Sequence, residues 1–329
     1  MTKHGSFIIS LDFEMMWGIK DIHTPYDTYS NVNVKNVREV IFRMLNLFKQ
    51  YNIHVTFATV GLLMFDNKDD ALKYLPNKKP SYINETLSPY NDEYIENIDS
   101  NHSELYFAPD IIQQIQNYSY AELATHTFSH YNCWAKGQTL DEFDADIKAT
   151  IQTTKLKCLN PPLSIVFPRN NVSPEYIKIC SLNGIKSYRG NPKHFYSKSN
   201  NKIKTLWQRC MRIIDCYINI GGKSTFKYNT LTKISSVLNI PSSRFLRPYS
   251  NKLRFLEPLK ITRIKHEIIH AARKGELYHL WWHPHNFGCN IEENLKNLES
   301  ILQCYAECHK QYGMQSYTMT EFYNTINNN

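Results

Sequence analysis

The chain has 329 residues, of which 42% are hydrophobic and 21% are charged. This composition excludes a disordered or fibrous protein, and the length suits one large α/β domain or two smaller ones. The formal net charge of +8 predicts attraction to anionic partners such as sugar phosphates, nucleic acid or lipid headgroups.

Two features of the sequence bear on its compartment. The apolar segment at residues 7–11 is too short for a signal peptide or a membrane span. The eight cysteines are scattered without a CxxC pair, which favours reduced thiols over a disulfide framework or a zinc ribbon. We therefore expect a cytoplasmic protein with no membrane span.

The first elements alternate between strand and helix. Residues 7–11 are predicted to form a buried strand that ends at Asp12-Phe13-Glu14. Apolar residues at helical spacing predict a helix over about 34–50, and a β-branched and aromatic run predicts a strand over 54–61. This order is typical of a parallel sheet.

Residues 66–108 interrupt this alternation. The stretch is rich in Asn and Tyr, contains three prolines and has no sustained apolar periodicity. Loops of this length are commonly functional or disordered. Its tyrosines could stack on sugar rings or pack within the loop, and we expect an inserted loop or lid.

The later elements repeat the strand and helix unit. A helical segment after Pro109 leads to a short strand that ends at His126-Thr127-Phe128-Ser129-His130. The further predicted elements are a helix over 139–156, a strand over 163–169, a helix over 174–183, short strands over 185–190 and 277–283, and a helix over about 292–312. Successive strands thus end in Asp, His, Arg or His, and in parallel α/β folds these ends form the site.

Histidines and carboxylates at two of these strand ends are candidate metal ligands. His126 and His130 can share one ion if the backbone coils between them, as histidine pairs do at Zn²⁺ sites. Asp12 and Glu14 point to one side of an extended strand, where their repulsion would be relieved by a divalent cation. The alternatives are structural histidines and a helix-capping Asp12.

Two other strand ends carry candidate catalytic groups. Arg169 follows Pro168 and is placed to pair with Asp12, although a surface arginine is the alternative. His283 ends a Trp-rich strand and suits general acid catalysis, because histidine titrates near neutrality. His285 is a candidate for the same role.

These motifs, in this order, resemble those of the polysaccharide deacetylase family, also called the NodB-homology or carbohydrate esterase family four fold. The motifs are Asp12-Phe13-Glu14, His126-Thr-Phe-Ser-His130, Phe167-Pro168-Arg169 and Leu280-Trp-Trp-His283. The segments 54–61 and 184–190 are also similar to that family. The resemblance spans about residues 6–290 and constrains residues 66–108 and 191–260 little.

The resemblance implies a distorted (β/α)7-type barrel of parallel strands. It places residues 1–329 in a single catalytic domain, with 191–260 as a poorly constrained insertion. It also implies hydrolytic removal of an N-acyl group, usually acetyl, from an amino sugar. The implied cofactor is a divalent metal ion, with Zn²⁺ favoured and Co²⁺, Mn²⁺ or Ni²⁺ as alternatives.

The same resemblance implies roles for residues at the strand ends. They are the metal ligands His126 and His130, the base Asp12, the orienting Arg169, and the acid His283 with His285 as its substitute. The family usually has two adjacent aspartates in the first motif. Here Phe13 stands in the second place, so the metal carboxylate is Glu14 or Asp12 itself. The family also has an aspartate that supports the acid histidine, and Asp215 is the candidate for it here.

A basic and aromatic segment at residues 243–254 bears on the substrate. Its arginines, Lys252 and aromatic rings suit the phosphate of a nucleotide-linked or lipid-linked sugar, or single-stranded nucleic acid. A solvated basic loop is the alternative.

The leading hypothesis is a cytoplasmic amino-sugar N-deacetylase of polysaccharide or glycoconjugate assembly. Its substrate would be an amino sugar carrying a nucleotide or lipid phosphate, and no nucleic-acid partner is expected. One alternative is a metal-free ring-opening amidase, related to allantoin hydrolysis, on the same fold. The other is a non-catalytic module that binds carbohydrate or nucleic acid.

Overall fold

A computed structural model of the chain describes residues 4–91, 94–192 and 206–327. Its strands are β1 (Ser6–Phe13), β2 (Val55–Thr59), β3 (Ala121–Thr125), β4 (Ser164–Ile165), β5 (Ser187–Gly190), β6 (Lys233–Ile234), β7 (Val237–Pro241), β8 (Arg244–Phe245), β9 (Leu277–Trp282) and β10 (Gln315–Tyr317). They follow the order β6-β7-β5-β4-β3-β2-β1-β9-β8, with β10 beside the start of β1. All paired strands are parallel except β6 with β7, among the residues described.

Residues 237–245 close this sheet into a barrel. Within that stretch β7 pairs with β5, and β8 pairs with β9 at the other end of the sheet. The backbone crosses between the two partners at Ser242 and Ser243, whose N–H groups donate to the carbonyls of Gly190 and His279. Among the described residues, seven strands surround the interior when β7 and β8 are counted as one. The predicted distorted barrel is confirmed.

The alternation of β1 sets what lies inside the barrel. All eight of its residues are buried. Phe7, Ile9, Leu11 and Phe13 pack against the surrounding helices. Ile8 packs with apolar residues of the other strands in the interior. Because side chains alternate along a strand, Ser10 and Asp12 share the inner face with Ile8.

Helices cover the outside of the barrel. They are α1 (Val37–Gln50), α2 (Lys68–Leu72), α3 (Pro109–Gln116), α4 (Leu140–Leu156), α5 (Pro174–Leu182), α6 (Leu206–Tyr217), α7 (Glu257–Lys274), α8 (Ile291–Tyr312) and α9 (Met319–Asn327). Each long helix buries an apolar stripe; α1, for example, buries Val37, Val40, Ile41, Met44 and Phe48. Among the described residues, none of the helices combines the length and apolarity needed to cross a bilayer.

The helix α9 closes the amino end of the barrel. Met319 and Phe322 enter the same interior apolar cluster as Ile8. Glu122 on β3 accepts hydrogen bonds from the backbone N–H and the hydroxyl of Thr320 at 3.1 and 2.6 Å, which fixes the start of α9. The carboxyl ends of the strands therefore form the other, accessible mouth.

Two segments differ in detail from the sequence prediction. Residues 66–108 contain α2 and short 3-10 turns, and Tyr82 and Tyr106 within them are buried against the rest of the protein. The stretch 191–260, expected to be a poorly constrained insertion, contributes β6, β7 and β8 in its described part. These strands are short and follow turn residues, so periodicity alone did not indicate them.

Candidate active site

The strand β1 carries two acidic side chains into the mouth of the barrel. Asp12, within the strand, is 2% exposed, and Glu14, which directly follows the strand, is 4% exposed. Phe13 between them faces the helical layer. Met15 then turns the chain with a positive φ of 47°. Two carboxylates thus lie together in a region from which water is largely excluded.

Glu14 meets both histidines of the 126–130 segment. Its Oε2 atom lies 3.2 Å from His126 Nε2 and 3.0 Å from His130 Nε2. The three side chains form a group whose ligand atoms all lie within 4.8 Å of one another. The chain coils between the histidines because Thr127 and His130 adopt positive φ values of 65° and 59°. This is the local coiling that the sequence argument required.

The hydrogen bonds of His126 fix which ring nitrogen carries a lone pair. Its Nδ1 lies 2.8 Å from the carbonyl oxygen of Val166, which can only accept, so Nδ1 carries the proton. In the neutral ring, Nε2 then presents a lone pair towards Glu14. This Nε2 is buried and has no hydrogen-bond partner among the described residues. A buried lone pair that faces the Glu14 carboxylate without an intervening hydrogen fits a cation.

The charges at the mouth are consistent with this donor set. Burial lowers the pKa of His130, outweighing Glu14, which raises it, so the ring is held neutral. Burial raises the pKa of Glu14, but His283, His126 and His130 together hold that pKa well below its ordinary value. The carboxylate is therefore ionised while its histidine partner His130 stays neutral, as metal ligands must be.

Asp146 on α4 holds the segment that carries the two histidines. Its carboxylate accepts the backbone N–H groups of Phe128 and Ser129 at 2.7 and 3.2 Å, and also the Ser129 hydroxyl. Asp146 is completely buried, and burial raises its pKa to about 6 in spite of these bonds. The position of both imidazoles thus depends on a helix that sequence reasoning did not connect to the site.

Asp12 is clamped by Arg189, the charged residue of β5. Arg189 donates from Nη1 to Asp12 Oδ1 at 2.6 Å and from Nη2 to Oδ2 at 2.7 Å. The guanidinium also donates to Ser10 Oγ at 3.1 Å and to Asn170 Oδ1 at 2.9 Å, and it lies 4.2 Å from the ring centre of Trp281. Burial raises the pKa of Asp12, but Arg189 and the neighbouring histidines outweigh it and lower that pKa.

The predicted pairing of Arg169 with Asp12 is wrong. Arg169 instead donates to Asp21 Oδ2 at 2.7 Å and is partly exposed. Arg169 has a positive φ of 58°, in the turn that follows β4. Arg189 occupies the place expected for it. Arg189 also lies at the end of a predicted strand, at 185–190, so the strand-end pattern did not distinguish the two arginines.

His283 lies beside both carboxylates. Its Nε2 atom is 3.6 Å from Asp12 Oδ2 and 3.5 Å from Glu14 Oε1, and its side chain is 23% exposed at the mouth. His285 is completely buried, and burial lowers its pKa to about 3. A histidine whose protonated form is disfavoured by burial is a poor proton donor, whereas His283 is open to the mouth, so His283 is favoured over His285.

Asp215 does not support the acid histidine. Its carboxylate pairs with Arg244 at 3.2 Å and with Arg263 at 3.0 Å. Arg244 is itself buried and makes a two-point ion pair with Glu267. The sequence prediction of a phosphate site therefore fails for Arg244, which holds α7 to the barrel instead.

A glycine provides the space that Glu14 needs. A Cβ atom at Gly18 would lie 2.0 Å from the Glu14 carboxyl carbon and within 2.5 Å of both its oxygens. Glu14 therefore folds back over Gly18 to reach the histidines. No sequence pattern pointed to this residue, because the contact depends on the turn that follows β1.

Comparison with known proteins identifies the family. A sequence profile of the family described as polysaccharide deacetylase matches residues 20–188, just over half of the chain. The chain belongs to the polysaccharide deacetylase family. Membership supports a hydrolase that acts on the amide C–N bond of N-acetyl sugars. The matched range includes His126 and His130 but ends before Arg189 and begins after Glu14.

Solved structures share the fold of this family member at low sequence identity. A candidate polysaccharide deacetylase from Mycobacterium smegmatis aligns with a TM-score of 0.61 and 11% identity over 99% of this chain and 92% of its own. An alpha-amylase from Thermotoga maritima aligns with a TM-score of 0.58 and 10% identity, over 98% of this chain and 75% of its own. An allantoinase aligns with a TM-score of 0.53 and 13% identity, over 97% of this chain and 89% of its own. A search of curated proteins gave no match.

Substitution of Gly18 by alanine is expected to weaken metal binding with little loss of stability. The new methyl group would push the Glu14 carboxylate away from the histidines, because a flexible side chain yields before the backbone does. We expect the Kd for Zn²⁺ to rise by about 10- to 100-fold. Isothermal titration of the metal-free protein with Zn²⁺ measures this change.

Gly184→Ala serves as the matched control. A Cβ there meets nothing within 4 Å, but the backbone has a φ of +86°. This variant should lose about 1 kcal/mol of unfolding free energy and keep its Zn²⁺ affinity. Equal affinity of Gly18→Ala and the unmodified protein would contradict the proposed space requirement.

Ionisation of Asp146 is expected to reduce stability between about pH 4 and pH 6. Its pKa is about 6 in the folded protein and 3.8 ordinarily, so the folded state binds the proton more tightly. The contribution of this proton to the unfolding free energy is about 3 kcal/mol. It is fully present below about pH 4 and is lost as the pH rises through 6. Urea denaturation of the native protein and of Asp146→Asn across pH 4–7 isolates this contribution. The same change of unfolding free energy with pH in both proteins would refute the prediction.

Proposed function

We propose that this protein is a metal-dependent hydrolase that removes an N-acyl group, most simply acetyl, from an amino sugar. The observation that carries the proposal is the convergence of Glu14, His126 and His130 beside Asp12. The two imidazoles and the carboxylate supply a donor set typical of zinc hydrolases. Family membership supplies the reaction class, and the arrangement of side chains supports the metal requirement.

Glu14, rather than Asp12, is the proposed metal carboxylate. Both oxygens of Asp12 are engaged by Arg189, whereas Glu14 Oε2 faces the two histidine nitrogens. A divalent cation held by Glu14, His126 and His130 would supply Lewis acidity, which polarises the acyl carbonyl and lowers the pKa of water. Zn²⁺ is the preferred ion, with Co²⁺, Mn²⁺ and Ni²⁺ as alternatives.

Asp12 is proposed to act as the general base. The two-point bond with Arg189 fixes the plane of its carboxylate and keeps it ionised at neutral pH. Asp12 accepts a proton from water as the water oxygen bonds to the acyl carbon. Arg189 does not meet the substrate in this scheme; it positions the base.

His283 is proposed to act as the general acid. It is the partly exposed histidine at the mouth, and its Nε2 atom faces both carboxylates. It donates a proton to the sugar nitrogen as the C–N bond breaks, so that the amine leaves neutral. The products are a carboxylate, such as acetate, and the free amino sugar.

The wider context is proposed on the same basis. We treat the whole chain as one catalytic unit, because barrel strands come from residues 6–282 and α9 closes its base. We propose a cytoplasmic role in polysaccharide or glycoconjugate assembly. The net positive charge favours a substrate that carries a nucleotide or lipid phosphate.

Removal of both histidines is expected to abolish metal binding. Elemental analysis of the purified native protein should give about one divalent metal per chain. His126→Ala combined with His130→Ala should contain none, because a single carboxylate does not retain the ion. The metal-loaded native protein should release acetate from a panel of free and nucleotide-linked N-acetyl amino sugars.

Two results would refute this function. Native protein that stays metal-free after addition of Zn²⁺, yet opens a ring such as allantoin, would support the ring-opening amidase. Metal-loaded protein that releases neither acetate nor formate from the panel, yet binds a carbohydrate, would support the binding module. A double variant that retains full activity would exclude the assigned ligands.

Substitution of Arg189 is expected to affect kcat far more than substitution of Arg169. Arg189→Lys keeps the charge but loses the two-point grip on Asp12, so kcat should fall about 10²-fold with KM little changed. Arg169→Ala removes a partly exposed ion pair with Asp21 and leaves the two-point grip on Asp12 intact, so it is the matched control. The comparison is made by steady-state kinetics of both variants, with thermal unfolding to confirm folding. Equal kcat values in the two variants would contradict the positioning role.

A further inference from the structure

An exposed apolar surface lies on α6, on the turn after it, and at the start of α7. Its large side chains are between 36% and 71% exposed: Trp207, Ile213, Ile214, Ile218, Ile220, Phe255 and Leu259. Single exposed apolar residues are ordinary on proteins, but adjacent groups of this size mark interaction sites. We call this group the α6–α7 surface.

The two elements of this surface adjoin one another. The helix α6 packs against α7. Beyond the end of α6, a groove is lined by Tyr217, Asn219 and Lys223 on one side and by Leu259 and His266 on the other. The turn after α6, which carries Ile218 and Ile220, therefore lies beside Leu259 and His266 of α7.

The exposed charges of the α6–α7 surface all have one sign. Residues 206–227 and 251–274 contain three acidic residues, Asp215, Glu257 and Glu267, and all are buried. Each is paired with a cation inside the protein. Asp215 pairs with Arg244 and Arg263. Glu257 pairs with Lys260, and Glu267 pairs with Arg244. The exposed basic residues of the same segments are Lys223, Lys227, Lys252, Arg254, His266, Arg273 and Lys274.

This combination favours a lipid surface over other partners. A second copy of the chain would bring like charges together, which opposes association. Nucleic acid would satisfy the cations but would leave the exposed isoleucines without apolar partners. The headgroup and acyl boundary of an anionic bilayer accommodates both, because cations meet the lipid phosphates while aliphatic side chains enter the acyl region.

We propose that the α6–α7 surface docks the protein on membranes that contain anionic lipids. Residues 246–256 follow the carboxyl end of β8, and the ring of Phe245 at that end lies 5.9 Å from the ring of His283. The exposed residues Lys252, Arg254 and Phe255 thus bring the docking surface to the rim of the barrel mouth. This inference concerns binding of the protein to a lipid surface and stands independently of the proposed reaction.

Vesicle flotation of the full-length protein tests the proposal. The protein should float with vesicles of phosphatidylcholine and phosphatidylglycerol at a 3:1 ratio, about the anionic content of a charged leaflet. It should not float with phosphatidylcholine alone. Binding should weaken as NaCl is raised from about 0.05 to 0.5 M, because the attraction between exposed charges is screened.

Two variants separate the contributions of charge and apolar contact. Lys223→Glu, Lys252→Glu and Arg254→Glu together should lower the partition coefficient by more than about a hundredfold, since each cation contributes about fivefold. Ile218→Asp should lower it by at least about tenfold, because Ile218 is 58% exposed on the proposed docking face. Both variants should keep their metal content and thermal midpoint.

Matched controls carry the same chemical changes elsewhere. Lys49→Glu, Lys155→Glu and Lys178→Glu make the same change in net charge on α1, α4 and α5, where the three lysines are exposed. Leu182→Asp places an aspartate at an 86% exposed leucine of α5. Both controls should retain most of the vesicle binding.

Three outcomes would overturn the proposal. The first is failure of the native protein to float with anionic vesicles at low salt. The second is an equal loss of binding in the matched controls, which would show a response to net charge alone. The third is a concentration-dependent dimer in sedimentation that Ile218→Asp dissociates, without any vesicle binding, which would assign the surface to self-association.

Discussion

The architecture of the barrel mouth depends on the burial of two carboxylates side by side. Asp12 and Glu14 are almost inaccessible to solvent, and taking two like charges out of water costs several kcal/mol unless each is compensated. Asp12 is compensated by the guanidinium of Arg189. Glu14 Oε2 lies close to the imidazole nitrogens of His126 and His130. One carboxylate is thus neutralised by an arginine of the protein, and the other faces two imidazoles that could hold a cation together with it.

Unusual backbone conformations concentrate where the strands deliver these groups. Positive φ values occur at Met15, Thr127, His130, Arg169 and Asn170, each of which directly follows or lies near a strand end of the mouth. Such conformations cost about 1 kcal/mol or more in residues other than glycine. They persist here because buried hydrogen bonds, such as those of Asp146 to the 128–129 backbone, hold the turns. The rigidity of the site is obtained at the expense of local stability.

Much of the fold was predictable because its long elements have clear periodicity. The strand at 7–11, the helix at 139–156 and the strand at 277–283 lie within one or two residues of their observed bounds. The exchange of Arg169 for Arg189 was not predictable from residue type, since both end predicted strands. The folded chain decides between them, because only the tertiary structure shows that Arg189 reaches Asp12 and that Arg169 reaches Asp21. Arg244 was misjudged for a related reason: its partner Glu267 lies on a helix whose position only the tertiary structure gives.

The contact between Glu14 and Gly18 has a consequence for the evolution of the family. Glu14 is one methylene longer than an aspartate and lies over a position where no Cβ fits. A lineage that carries the proposed metal ligand on a glutamate two residues after Asp12 is therefore expected to keep a glycine four residues further on. Sequences with a shorter ligand at this edge are free of that requirement. The positions of Glu14 and Gly18 should thus vary together among relatives. A glycine at the second position then marks the relatives that place the proposed ligand in the same way.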